Sequence, residues 1–340
     1  MISKFQHTVR LALGVTLIEL MVALSIGSFL MIGAVTVFMQ SRTAFRVTES
    51  VARLQENARF ILDVLEPDIR MASYFGLTSR PYKILGRATS LEPTPAGLGV
   101  GSDCGANWAI SIAPAVAGTN NGYSWACPAF GDAATATADT FTLKRVSEDP
   151  IVPPLQDGTL YVQSARFQDS QLFVGPLVPG GYVPTTSQTH RYIANGYYVS
   201  TNSSLDTPGN NVPSLRVKTL VGGAFGPRIV DQEVLPGVED FQIQFGIDTD
   251  VVGAATRGSI NRYVNSDDPI LDPVGAAFNP DATVLAVRIW VRVRAQRPEN
   301  GYTDTANYIY ADQNVPAPND QFRRAVVSKT IYLRNARTPV

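Results

Sequence analysis

The chain has 340 residues, enough for two modest domains or for one large domain with an anchor. Charged residues make up 17% and aromatics 9%, with 27 Gly and 23 Pro, which suits a loop-rich folded domain and not a disordered one. A net charge of −1 supplies no global field for nucleic acid, and two histidines (His7, His190) with two cysteines (Cys104, Cys127) leave little material for a soft-metal centre or a histidine-based active site. This scarcity argues against an enzyme before any motif is considered.

Residues 1–14 carry Lys4 and Arg10 and no acid, and an apolar run to Met39 follows directly. From Leu20 to Ser41 no residue is ionisable. A hydrocarbon core of ~30 Å needs ~20 such residues as a helix, so this segment is long enough to span a membrane. The positive flank stays cytoplasmic, which places residue 42 onward outside the inner membrane. Glu19 is the one carboxylate at the start of the run. Burying it costs ~2.5 kcal/mol or more, so by default it implies a function and a partner. Ser25-Ile26-Gly27 passes weakly for the cleavage site of an ordinary secretory signal, but the apolar run continues well beyond it.

The stretch Gly14-Val15-Thr16-Leu17-Ile18-Glu19-Leu20 resembles the prepilin signature of type IV pilins and type II secretion pseudopilins. The resemblance implies that a prepilin peptidase cuts between Gly14 and Val15 on the cytoplasmic face. It implies that Val15 is then N-methylated, and that Glu19, as fifth mature residue, meets the N-terminal amine of a neighbouring subunit during filament assembly. Val15 stands where Phe is usual. A buried carboxylate and a buried ammonium each cost several kcal/mol alone, and pairing recovers much of that. The plain alternative is that Glu19 snorkels to the headgroups from the helix end.

Val47, Val51, Leu54, Ala58, Ile61, Leu65 and Ile69 then recur at helical spacing, with Arg46, Glu49, Arg53, Glu56, Arg59 and Asp63 on the remaining face. A helix from Val15 to about Glu66 would be ~78 Å long. Pro67 is expected to break or kink it, leaving a short further turn that ends at Gly76. Residues 65–76 resemble the segment after the helix in PilW-type minor pilins, where a Gly is common at the position of Ser73.

Residues 77–135 are rich in Gly, Pro, Ala, Ser and Thr and show no sustained periodicity. In an extracytoplasmic compartment Cys104 and Cys127 read as one disulfide, which constrains the unfolded chain by ~3 kcal/mol. Trp108 and Trp125, inside that loop, read as packing residues. From Asp139 onward the pattern is β. Strands are expected over 140–143, 159–162, 171–174, 191–200, 215–221 and 230–235. The clearest alternation is Phe241, Ile243, Phe245 and Ile247, followed by Leu285, Val287, Ile289, Val291 and Val293, then Val327, Ile331 and Leu333. These last three strands are expected to keep one face solvated while an antiparallel sheet covers the amphipathic helix. Residues 238–246, 287–291 and 331–335 also resemble PilW-type proteins.

Asp248, Asp250, Asp267, Asp268 and Asp272 miss the regular calcium-loop spacing and read as solvated loop acids. Arg288, Arg292, Arg294 and Arg297, with Arg323 and Arg324, read as a solvated sheet face or a subunit contact, with DNA an unlikely partner. No phosphate loop and no Ser/His/Asp set can be assembled around His190. No catalytic residue, metal or cofactor is therefore expected.

The expected fold is α+β and type IV pilin-like. It comprises a leader (1–14), a transmembrane or filament-core helix (15–41), its amphipathic continuation (42–76), and a loop-rich extracytoplasmic β domain with a disulfide-closed loop (77–340). The resemblance implies a minor pilin that primes type IV pilus assembly near the tip. Its implied partners are the prepilin peptidase, other minor pilins, the major pilin and a tip adhesin, with roles in twitching motility and adhesion. Its implied location is the inner membrane, with the C-terminal domain in the periplasm, and then the extracellular pilus. A GspJ-like minor pseudopilin of a type II secretion system is the first alternative. A membrane-tethered extracytoplasmic enzyme or ligand-binding domain is the second.

Overall fold

The computed structural model describes residues 14–78, 80–87, 98–105, 107–207 and 210–336, so residues 1–13 of the expected leader lie outside the described residues. The chain divides into two units, Met1–Ala52 and Arg53–Val340. Helix α1, Leu17–Met71, contributes to both. It runs unbroken through Gly27, Gly33 and Pro67.

The expected break at Pro67 does not occur. Proline removes one bond, the one its N–H would have made to the Asp63 carbonyl. Pro67 and Asp63 both lie on the exposed face of the helix, where water can satisfy that carbonyl. The turn beyond Pro67 is held instead by the buried residues Asp68 and Ile69. The helix ends through Ser73, whose φ of +67° is left-handed and whose N–H donates to the Lys144 carbonyl at 3.2 Å. Gly76, also at positive φ, reverses the chain where a Cβ would come within 2.9 Å of the His190 ring.

Among the described residues the second unit holds fourteen strands. The first eight are β1 (Ile84–Leu85), β2 (Val116–Thr119), β3 (Thr140–Val146), β4 (Leu160–Ala165), β5 (Ser170–Val174), β6 (Ser187–Ser200), β7 (Ser214–Val221) and β8 (Arg228–Pro236). They form one sheet in which β6 is shared: it pairs with β4 through 187–191, with β3 through 192–197 and with β7 through 195–200. Among the described strands only β1 runs parallel to its neighbour, β5. Strands β9 (Val238–Asp248), β10 (Arg262–Asn265) and β11 (Thr283–Arg294) continue the chain, followed by β12 (Tyr308–Tyr310), β13 (Gln313–Val315) and β14 (Arg324–Tyr332). These make a four-stranded antiparallel sheet in the order β10-β9-β11-β14 and a separate β12-β13 hairpin. The expected single sheet is thus two sheets and a hairpin.

Both sheets pack on the same helical stripe. Leu54, Ala58, Ile61, Leu65 and Ile69 share one core with Phe141 and Leu143 of β3, Tyr197 and Val199 of β6, and the inward residues of β9 and β11. The expected alternation appears as Phe241, Ile243, Phe245 and Ile247 opposite Val287, Ile289 and Val291, all buried. A second core lies under the irregular segment, where Ile84, Ile110 and Ile112 pack with Val146, Leu160 and Tyr192. The Cys104–Cys127 disulfide is formed. Trp108 and Trp125 lie with ring centres 5.6 Å apart over Gly196, where a Cβ would sit 2.7 Å from both rings.

Asp139 joins the two sheets. It is buried ahead of β3, and its two carboxylate oxygens accept the N–H groups of Asn121 and Ile243, each at 2.8 Å. Its own N–H donates to the Phe241 carbonyl of β9 at 2.8 Å. Burial pushes the Asp139 carboxyl up from 3.8 to about 7 against the pull of those two donors, and the charges of Asp312 and Asp240 add to the rise.

A raised carboxyl pKa means that the folded state holds its proton more tightly than the unfolded chain. The stability contributed is complete below about pH 3.8 and is lost as pH rises through 7. Urea titrations from pH 4 to 8 are expected to show wild-type protein losing stability relative to Asp139→Asn over that window. At the helix end, Ser73→Gly is expected to raise stability by about 1 kcal/mol by relieving the left-handed strain, read as a higher unfolding midpoint at unchanged m-value.

Candidate functional site

The residues expected to act lie at the start of α1. Thr16 and Glu19 bond reciprocally. Glu19 Oε2 accepts from the Thr16 N–H and from Thr16 Oγ1, both at 3.0 Å, and the Glu19 N–H donates to Thr16 Oγ1 at 3.3 Å. With Leu17 the first helical residue, Thr16 is the N-cap and Glu19 the third position, a capping box. The Thr-x-x-Glu spacing signals this directly, and it gives Glu19 a local role beside any role in assembly. An acid in the first turn also suits the positive end of the helix dipole.

From Leu20 to Met39 the helix presents an apolar surface. Large side chains from Val15 to Met39 stand exposed, and the helix is long and apolar enough to cross a membrane. Its hydroxyls are satisfied internally: Ser25 Oγ donates to the Val22 carbonyl, Ser28 Oγ to Ser25 and Thr36 Oγ1 to Gly33, each at 2.8 Å. Side chains bonded back to their own helix leave no polar group to lipid or to a packed neighbour. Gly33 and Ala34 open a shallow apolar notch between Phe29 and Leu30 on one side and Val37 and Phe38 on the other. A neighbouring helix can seat a side chain there.

In the second unit α1 is fixed by two polar contacts that the sequence pattern did not reveal. Asp68 is buried, and its carboxylate accepts from Arg145 Nε at 2.6 Å, and from Asn195 Nδ2 and Tyr197 Oη at 2.7 Å each. These partners sit on β3 and β6. Burial and the Asp68 charge hold the Tyr197 hydroxyl well above its ordinary pKa, so it stays a donor. Glu66 reaches the other sheet, accepting from Lys329 Nζ of β14 at 2.5 Å, and it also pairs with Arg70. The only hint in the sequence is an acid at position 68, next to the apolar stripe residues 65 and 69.

Of the arginines expected on a solvated face or at a subunit contact, Arg297 is exposed, whereas Arg292, Arg294 and Arg324 are covered within the domain. Glu239 accepts two bonds from Arg324, at 2.7 and 2.9 Å, and lies within 3.4 Å of Arg292 and Arg294. Arg324 also bonds Asp304 and Asp320. The hairpin and its flanks roof this network, with Arg292 near the Tyr308 and Tyr310 rings and Arg294 on Phe322. Arg288 stacks on Tyr263. The reason is long-range. Residues 299–322 carry both the acids and the aromatic lids, and no local pattern announces that they fold over β11.

Three of the loop acids act as turn caps. Asp248 accepts from the N–H groups of Asp250 and Gly258, Asp268 from that of Ile270, and Asp272 from that of Val274. Among the described residues no three metal-ligating side chains converge. His190 is buried, with Nδ1 2.9 Å from the Ser147 carbonyl and Tyr74 edge-on, and burial holds its pKa below the usual value.

Residues 196–335 match the family described as Type IV Pilus-assembly protein W (PilW), and residues 10–35 match the Prokaryotic N-terminal methylation motif. The first span covers β7 to β14 and part of β6; the second holds Gly14, Val15 and Glu19. Among solved structures the chain is similar to the type IV-like pilin TTHA1219 from Thermus thermophilus. The identity is 14% over 84% of this chain and 98% of that one, with a TM-score of 0.37. No curated protein matches.

Removing a buried carboxylate strands the groups that it pairs. Asp68→Ala is expected to cost about 3 kcal/mol, the lower end for a broken buried pair because Arg145 keeps some access to water. Thermal unfolding checks this, and Asp68→Asn should lose distinctly less because the Asn195 and Tyr197 bonds can re-form.

Proposed function

We propose that this PilW-like type IV pilin is a minor pilin that primes pilus assembly and sits near the filament tip. Prepilin peptidase removes the leader between Gly14 and Val15, and the new amine at Val15 is methylated. The apolar half of α1 holds the protein in the inner membrane with residues 42 onward in the periplasm. The same surface then packs into the filament core against other minor pilins and the major pilin. Display of a tip adhesin, twitching motility and adhesion follow from that position. No catalytic role is assigned to any residue.

The observation that carries this reading is the chemistry of the helix around Glu19. Every polar group from Ser25 to Thr36 is satisfied within the helix, while Glu19 alone keeps a charge at the mouth of an apolar surface. An internally satisfied helix moves from lipid to a protein core without exposing a bare donor or acceptor. Cleavage before Val15 would place a cation two residues ahead of Leu17 and four ahead of Glu19. One Glu19 oxygen is committed to Thr16, which leaves Oε1 for the ammonium of an adjoining subunit. The family match over 196–335 favours a pilus over a secretion pseudopilus.

Deletion of the gene is expected to abolish or sharply reduce surface pili, with restoration by the wild-type chain and not by Gly14→Val. Glu19→Ala should be processed normally yet fail to enter sheared filaments. Incorporation at the wild-type level would sink the assembly role of Glu19.

A further inference from the structure

Strand β14 is the outermost strand of the four-stranded sheet, and among the described residues none pairs with its far side. It pairs with β11 over nine successive positions, Arg324 to Tyr332, without a register shift. Flanking bonds set the phase of this ladder. The Ala295 N–H donates to the Arg323 carbonyl and the Leu333 N–H to the Leu285 carbonyl. In an antiparallel pair the bonded residues alternate, so Ala325, Val327, Lys329 and Ile331 face β11 with their backbone groups. Val326, Ser328, Thr330 and Tyr332 turn their N–H and C=O groups to the open side.

Other outer strands are guarded. β1 has two residues, while β2 and β10 have four each. The ladder of β8 is interrupted between Leu215 and Arg216, and the strand ends at Pro236. β14 has no proline and no bulge, and its one lysine, Lys329, is turned to Glu66 of α1 and leaves the outward backbone groups open.

The core also runs out along this edge. On β11, Val287, Ile289, Val291 and Val293 are fully buried, and so are Ile331 and Leu333 at the end of β14, whereas Ala325 and Val327 in its first half are half-buried at the margin of the same core, as is Leu62 of α1. An apolar surface that continues to an open strand and stops half covered calls for one more strand. Its backbone would satisfy the outward groups, and its alternate side chains would cover Ala325, Val327 and Leu62.

We infer that β14 receives an extended segment of a neighbouring filament subunit, added as a fifth strand and carrying apolar side chains at every second position. This rests on the reading of the protein as a pilus subunit. The recognition is then separate from helix packing: the α1 surface binds any pilin helix, and the β14 edge selects the partner that brings a free strand.

The test uses the full chain in piliated cells with a photo-crosslinking benzoylphenylalanine at Ser328, whose exposed side chain would lie within ~5 Å of its counterpart on an added strand. A second position, Phe29 in the apolar helix, reports helix packing. The expected result is a Ser328 adduct to another pilin-like subunit that falls about tenfold when Val326→Pro or Thr330→Pro removes one outward N–H. Neither proline interrupts the ladder to β11, and the Phe29 adduct should persist in both. A Phe29 adduct without a Ser328 adduct overturns the strand addition and leaves the pilin reading standing. A Ser328 adduct untouched by both prolines, in protein that keeps its disulfide and unfolding midpoint, also overturns it. Loss of both adducts in the parent chain removes the pilin reading and the strand addition together.

Discussion

The Asp68 carboxylate, buried beneath the last turn of α1, is the contact on which the second unit turns. A carboxylate without partners would not stay charged there. Arg145, Asn195 and Tyr197 bring three bonds to its two oxygens, from two adjacent strands of the larger sheet. Hydrophobic contacts alone let a helix rotate or slide by small amounts at little cost. A three-point polar contact does not, because any rotation leaves buried donors bare. With Asp68 fixed, Leu65 and Ile69 must face the core, and Glu66 must face Lys329 on the other sheet. The helix therefore carries its proline through the final turn: the tertiary contacts outweigh one lost bond on the exposed side.

The same economy recurs where the sheets meet. Asp139 gives both oxygens to backbone N–H groups on either side of the junction, and Asp240 takes Tyr310 Oη at 2.5 Å. Glu239, Asp304 and Asp320 bind the guanidinium of Arg324 beneath the hairpin. Buried networks of this kind are weak sources of net stability, since desolvation offsets the Coulomb gain. Their value lies in excluding alternatives. Two sheets sharing one helical stripe could pack in several registers by apolar contact alone, but few registers satisfy every acid.

The N-terminal unit follows the opposite rule. From Thr16 to Thr36 the polar side chains are satisfied within the helix, by the Thr16–Glu19 box and by hydroxyls bonded to the preceding turn. The globular unit is specified by long-range polar contacts and the helix surface by their avoidance.

What the sequence determined by itself is whatever depends on neighbours within one turn or one strand. The charge-free run after Glu19, the Leu54-to-Ile69 stripe and the alternation through Phe241 and Val287 each carry their period in the chain, and each became the element expected. The Thr16-x-x-Glu19 box was equally local, though easily passed over beside a signature that contains it. The cysteine pair needed only a compartment and a short loop. Other features arise from pairings across as many as 263 positions, such as Glu66 with Lys329. Asp68 looked like one more helix acid, and Arg292, Arg294 and Arg324 like a solvated sheet face or a subunit contact. Whether a charge is solvated depends on what folds over it, and residues 299–322 give no periodic sign of doing so. The division into two sheets and the open edge of β14 belong to that second class, because a strand cannot announce from its own residues which neighbours it will have.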